Sequence, residues 1–266
     1  MAADLVDTHC HLDAPELLED ADDLVERARG AGIRWIITIG AGRGTDSAPA
    51  AVALAHTHEE IAACVGIHPN DAECATETVM TTLAALSEDP RVVGIGETGL
   101  DYRHAPPPDA QRLAFRRSIQ LARHVRKPLV IHTRAAAAET LAILRQEQAE
   151  DVGGVVHSCT DDVASAKAFL DRNFDISFSP LLLGYEHARD LARCVPLDRM
   201  LIETSAPYHQ PAGTKHDLGT CLPLVAQHVA DLIGASVEDV LARTSANAVR
   251  RFGLDELPEA SRRSVF

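Results

Sequence analysis

Five histidines and one glutamate stand directly behind short apolar runs, where imidazole and carboxylate groups can hold a cation. In THCHLD the period-two alternation of a strand turns His9 and His11 to one side and Cys10 to the other, so two imidazoles can share one ion. His68 follows the third such run, Glu97 ends VVGIGE, and His132 and His157 end LVIH and GVVH. A carboxylate ending an apolar strand is costly to bury unless a cation, backbone N–H groups or a partner such as Arg103 offsets it. Mixed nitrogen and oxygen donors suit one or two divalent ions, Zn²⁺, Mn²⁺ or Mg²⁺, and the natural chemistry of such a set is hydrolysis by metal-activated water.

Around this set lie residues with two readings each. Asp101 is either an acceptor that orients a ligand histidine or a turn residue. Arg134, just beyond His132, either meets a phosphate or pairs with a carboxylate. His56, His58, His104, His124 and His228 fall in helical or loop stretches and are expected on the surface. No P-loop, no G-x-G-x-x-G after a strand and no G-x-S-x-G elbow occurs, so NTPase, Rossmann dehydrogenase and serine-hydrolase readings lose their main support.

Eight short apolar runs must position these side chains. They are Leu5 to His9, Trp35 to Ile39, Ala62 to Gly66, Val92 to Glu97, Leu129 to His132, Val155 to His157, Asp175 to Phe178 and Met200 to Glu203, with starts 20 to 37 residues apart. Each is followed by a stretch rich in Ala, Leu, Glu and Arg, the pattern of repeated βα units. The predicted fold is α/β, a single (β/α)8 TIM barrel over residues 1–266; a doubly wound open sheet would give a similar alternation. In either, the strands' carboxyl ends form one rim, so the candidate residues share one pocket. A single helix is expected from Pro15 to Gly30, LPLVAQHVADLIG and VEDVLARTSANAVRRF form the last two, and the final dozen residues form a loose tail.

Composition narrows the partners. The 266 residues carry 25 Lys and Arg against 39 Asp and Glu, a net charge of −14, so any contact with a polyanion must rely on a local cationic site. Six Phe, three Tyr and one Trp leave little material for stacking bases. The six cysteines form no C-x-x-C pair and are expected as free thiols, and no apolar run approaches the length of a membrane span. The expected address is the cytoplasm.

VDTHCHLD, GIHPND, GETGLDY, IHTR, the HS after the sixth run and IETSAPY, in this order from Val6 to Phe252, resemble the TatD deoxyribonuclease family, as does TSANAVRRF near the end. The resemblance implies an amidohydrolase-type TIM barrel that cleaves phosphodiester bonds of DNA and, in some members, other esters or amides. It assigns His9 and His11 to one metal, Glu97 to a bridge, and His132 and His157 to a second metal. His68, Arg134 and Glu203 fall on the substrate side, with His68 and Glu203 supporting the ligands. One position departs: where the family reads E-T-D-A-P after the eighth strand, with the aspartate ligating metal and helping to deprotonate water, this chain has Ser205. A neutral hydroxyl is a poor ligand and no base near neutral pH, although Glu203 could take over part of the role. Lys215 and His216 are candidate phosphate contacts.

The expected function is therefore a metal-dependent hydrolase of DNA or a small phosphodiester, a 3′–5′ deoxyribonuclease weakened at Ser205. Two other readings stand beside it: a catalytically silent barrel that binds metal, ligand or partner, and a hydrolase of small esters or lactones.

Overall fold

A computed structural model describes residues 4–42, 46–103, 107–211 and 216–258. Its eight strands are β1 (Leu5–Cys10), β2 (Ile33–Gly40), β3 (Ile61–Val65), β4 (Val92–Asp101), β5 (Leu129–Arg134), β6 (Gly154–Val156), β7 (Phe174–Phe178) and β8 (Met200–Ile202). All neighbouring pairs are parallel and the order follows the chain from β1 to β8. This is a TIM barrel, not the open sheet, because β1 and β8 meet. The seam is closed beyond β8, where Ser205 N donates to His9 O at 2.8 Å and His11 N to Ala206 O at 2.7 Å. Asp7 clamps the same seam, accepting from Thr204 N at 2.9 Å and Thr204 Oγ1 at 2.6 Å. Burial nevertheless pushes the Asp7 carboxyl up to about 7.

Strand alternation divides the core in two. Val6, Trp35, Ile37, Cys64, Val130 and Leu201 form a small cluster on the inner face, shut at the base by Phe252 and Leu254. Their sequence neighbours, such as Ile36, Ile61, Leu129 and Ile131, join a larger cluster with the surrounding helices. At the base, Asp175 is buried and pairs with Arg199 and Arg251, fixing the helix Val237–Phe252 under the barrel. The inner cluster fills the lower barrel and leaves the polar rim above it.

Two elements depart from the sequence expectation. The stretch from Pro15 to Gly30 is two helices, Pro15–Leu18 and Ala21–Gly30. A continuous helix would stack Glu16, Glu19, Asp20 and Asp23 at like-charge spacing; the break puts Asp22 and Asp23 in a first turn, where acidic residues are favoured. The helix Leu218–Ile233 begins a turn before Pro223, because the Asp217 carboxylate caps it by accepting from Gly219 N at 3.1 Å. All six cysteines are free. No single helix among the described residues is long and apolar enough to cross a membrane. Of the expected loose tail, residues 255–258 are described, with a 3₁₀ turn at Leu254–Glu256 and Pro258 O accepting from Arg91 at 3.0 Å; the rest of it, His104 and Lys215 lie outside the described residues.

Candidate metal centre

Glu97 is the hub of the rim, and its two oxygens divide the imidazoles between them. Oε1 is 2.7 Å from His132 Nδ1, 2.7 Å from His157 Nε2 and 3.4 Å from His68 Nε2. Oε2 is 3.4 Å from His9 Nε2 and 3.8 Å from His11 Nε2. The chain before Glu97 reaches this point through glycines, and Gly99 just after it, at φ 142°, is one that a larger residue could not replace: a Cβ there would overlap the His132 carbonyl oxygen. Close contact of β4 with β5 at that point brings Glu97 against His132.

The far side of each ring decides what the near side can offer. His11 Nδ1 donates to Ile39 O at 3.1 Å, His132 Nε2 faces Asp101 Oδ2 at 3.3 Å, and His157 Nδ1 faces Glu203 Oε1 at 3.2 Å. An acceptor behind the ring keeps a proton on the far nitrogen, so the near nitrogen would offer its lone pair to a cation once the proton it shares with Glu97 is gone. Glu203 is itself held by Ser177 Oγ, which donates to its Oε2 at 2.5 Å. His9 stacks on His157 with centroids 4.0 Å apart, and among the described residues its Nδ1 is a buried polar atom without a hydrogen-bond partner.

Electrostatics sort the same groups. Burial pushes His9 down and His11 down to about 3, so both are neutral near pH 7. Burial works against a charge on His157 too, but the carboxylates of Glu97 and Glu203 override it and raise it to about 10; Asp101 and Glu97 likewise raise His132. Burial pushes Glu97 up, yet the charge of His157 and the hydrogen bonds of His132 and His157 hold it well below the usual carboxylate range. The neutral imidazoles of His9 and His11, the Glu97 carboxylate, and His132 and His157 with acceptors behind them make a donor set that would suit divalent ions once His157 gives up its proton. A cation entering beside Oε1 must displace the His157 proton. Metal binding near pH 7 is therefore expected to release about one proton at that ring and to tighten roughly tenfold per pH unit below about pH 10. Titration calorimetry in buffers of different ionisation enthalpy reads the proton directly; binding without pH dependence would contradict it.

The sequence-predicted residues thus converge, with corrections. Arg103 does not pair with Glu97; its backbone N–H donates to Asp101 Oδ1 instead. Asp101 and Glu203 stand behind ligand-type histidines. His132 Nδ1 and His157 Nε2, 3.3 Å apart, share Glu97 Oε1, and the ligand atoms of His9–Glu97–His157 and of His68–Glu97–His132 also lie within 4.8 Å of one another. Ser205 is buried, with Oγ 3.5 Å from Glu203 Oε1. Arg134 lines the mouth and makes no ion pair among the described residues. His216 is not among the described residues that line the cavity. Sequence reasoning missed Asp7, Ser177 and Tyr208, whose ring stands edge-on to His11 at 5.3 Å. A polar residue inside an apolar strand was the available signal for Asp7 and Ser177. The cavity holds about 460 Å³.

An eight-stranded barrel carrying histidine and carboxylate donors at its carboxyl rim defines the class of metal-dependent barrel hydrolases. Residues 6–253 match the family described as TatD related DNase, and the chain belongs to the TatD family of metal-dependent hydrolases. It is 36% identical over 262 residues to a metal-dependent hydrolase of Escherichia coli K12, YcfH, covering 94% of this chain and 96% of that protein. It is 30% identical to the 3′-5′ ssDNA/RNA exonuclease TatD of Erwinia amylovora, covering 94% and 100%. The fold is that of the crystal structure of the E. coli TatD homologue YjjV, with a TM-score of 0.85, 23% identity and 95% and 99% of the two chains covered.

Proposed function

We propose that the chain is a metal-dependent phosphodiesterase that removes nucleotides from the 3′ end of single-stranded nucleic acid, slowed by Ser205. The observation that carries this is the convergence of five imidazoles on the two oxygens of Glu97 within one cavity, also lined by Arg134, which makes no ion pair among the described residues. His9, His11 and Glu97 would hold one ion, and Glu97, His132 and His157 the other. Nitrogen-rich donors favour Zn²⁺ or Mn²⁺ over Mg²⁺. When bound, such ions polarise a phosphoryl oxygen and lower the pKa of water. The chain's own groups do the rest: Asp101 and Glu203 fix the ligand rings, and Arg134 orients the phosphate at the rim. The exonuclease name of the Erwinia relative points to the same substrate.

The net charge of −14 favours a second reading, a hydrolase of small esters or lactones that need no polyanion at the surface. End-labelled single-stranded DNA and RNA incubated with Zn²⁺, Mn²⁺ or Mg²⁺ separate the two. Stepwise loss from the 3′ end, stopped by a chelator and restored by the ion, is the expected result. Hydrolysis of p-nitrophenyl esters by the loaded protein with both polymers intact would overturn the nuclease reading.

A further inference from the structure

His68 is wired in the opposite sense to the rings around it. Behind His11, His132 and His157 the far nitrogen faces a backbone carbonyl or a carboxylate oxygen. Behind His68 the far nitrogen, Nδ1, meets the backbone N–H of Asn70 at 3.0 Å, and a backbone N–H can only donate. This contact is built into the chain. His68 is the extended residue that caps the 3₁₀ turn Pro69–Cys74, and Pro69 sets the path that carries the Asn70 amide back to the ring. With the Nδ1 lone pair occupied, the ring's proton is on Nε2, and Nε2 points into the cavity 3.4 Å from Glu97 Oε1.

A nitrogen that carries its proton cannot ligate a cation. The group His68–Glu97–His132 is compact enough to hold an ion by distance alone, but its His68 corner offers a hydrogen and not a lone pair. In the metal-free chain that hydrogen faces Glu97. Once the Glu97 lone pairs are engaged elsewhere, it needs another acceptor at the cavity wall, and the group the cavity receives is the substrate. We propose that His68 is not a metal ligand but a fixed Nε2–H donor to a non-bridging oxygen of the bound phosphodiester. This deepens the phosphodiesterase reading and rests on it for the identity of the acceptor. It makes His68 a substrate-contacting residue, aimed from β3 across the cavity toward His132, whose ring it meets edge-on at 4.7 Å.

The tautomer is readable without any activity. In the ¹⁵N-labelled native protein, long-range ¹H–¹⁵N spectra are expected to show His68 with a bare Nδ1 and a protonated Nε2, both before and after loading with Zn²⁺. A shift of His68 to the Nδ1–H form on loading, with Nε2 on the metal, would overturn the proposal. Two variants read the acceptor. His68→Leu and His68→Gln are expected to keep the native zinc content by elemental analysis. In the zinc-loaded proteins His68→Leu loses tenfold or more in affinity for inorganic phosphate, whereas His68→Gln, whose amide N–H reaches the same place, stays within about threefold. Zinc lost in both variants, or equal phosphate affinity in all three proteins, would overturn it. If the native loaded protein neither binds phosphate nor cleaves nucleic acid while His68 keeps its Nε2–H, the phosphodiester reading fails and the donor assignment stands for a different oxygen ligand.

Discussion

Glu97→Gln is expected to empty the site of metal and to abolish hydrolysis in the same step. Both oxygens of Glu97 face imidazoles, Oε1 toward His132 and His157 and Oε2 toward His9 and His11, so both halves of the donor set share this one carboxylate. An amide keeps the shape but replaces one lone-pair oxygen with a donor and removes the charge, which costs whichever half it faces a ligand and both halves their anion. The rate loss should reach or pass ~10⁴, the upper end for one acid–base group, because the ions leave with it. The metal-free protein should also lose about 3 kcal/mol of stability, the lower end for breaking a buried pair, because His157 can shed its proton once its carboxylate partner is gone. Elemental analysis and thermal unfolding of both proteins check this. A variant that retains two equivalents of metal would show that Glu97 does not bridge.

The rim was legible in the sequence because its signals are local. A histidine or glutamate ending an apolar run names a strand and its functional end together, and β1 to β8 lie within a few residues of the runs that announced them. What was not legible depends on azimuth around the barrel. Strand starts 20 to 37 residues apart do not say that His157 stacks on His9, or that Glu97 turns one oxygen to each set of rings. Asp7 was hidden because its partner Thr204 is at the other end of the chain, and the role of Ser177 exists only through Glu203. The break after Leu18 was hidden for a different reason, since helix propensity there is good and like-charge repulsion decided against it.

Ser205→Asp is expected to raise the rate of the proposed phosphodiester hydrolysis by ~10²–10⁴, the usual contribution of a general base. The backbone at this position can accept an aspartate. Ser205 N is tied to His9 O at 2.8 Å, so any side chain there keeps a fixed relation to the β1 histidines, and φ is 56°, a left-handed value that aspartate tolerates better than most residues. Ser205 Oγ is 3.5 Å from Glu203 Oε1, and a carboxylate in that place would repel Glu203 until a cation sat beside it. The gain in rate should therefore come with a less stable metal-free protein and a larger rise in melting temperature on adding Zn²⁺ or Mn²⁺, because the ion relieves a repulsion that exists only in the variant. Ser205→Asn, matched in size but neutral, should do neither. If Asp and Asn variants cleave single-stranded DNA at the native rate and take up the same metal, the hydroxyl is no handicap, and the attacking water loses its proton to another group of the rim.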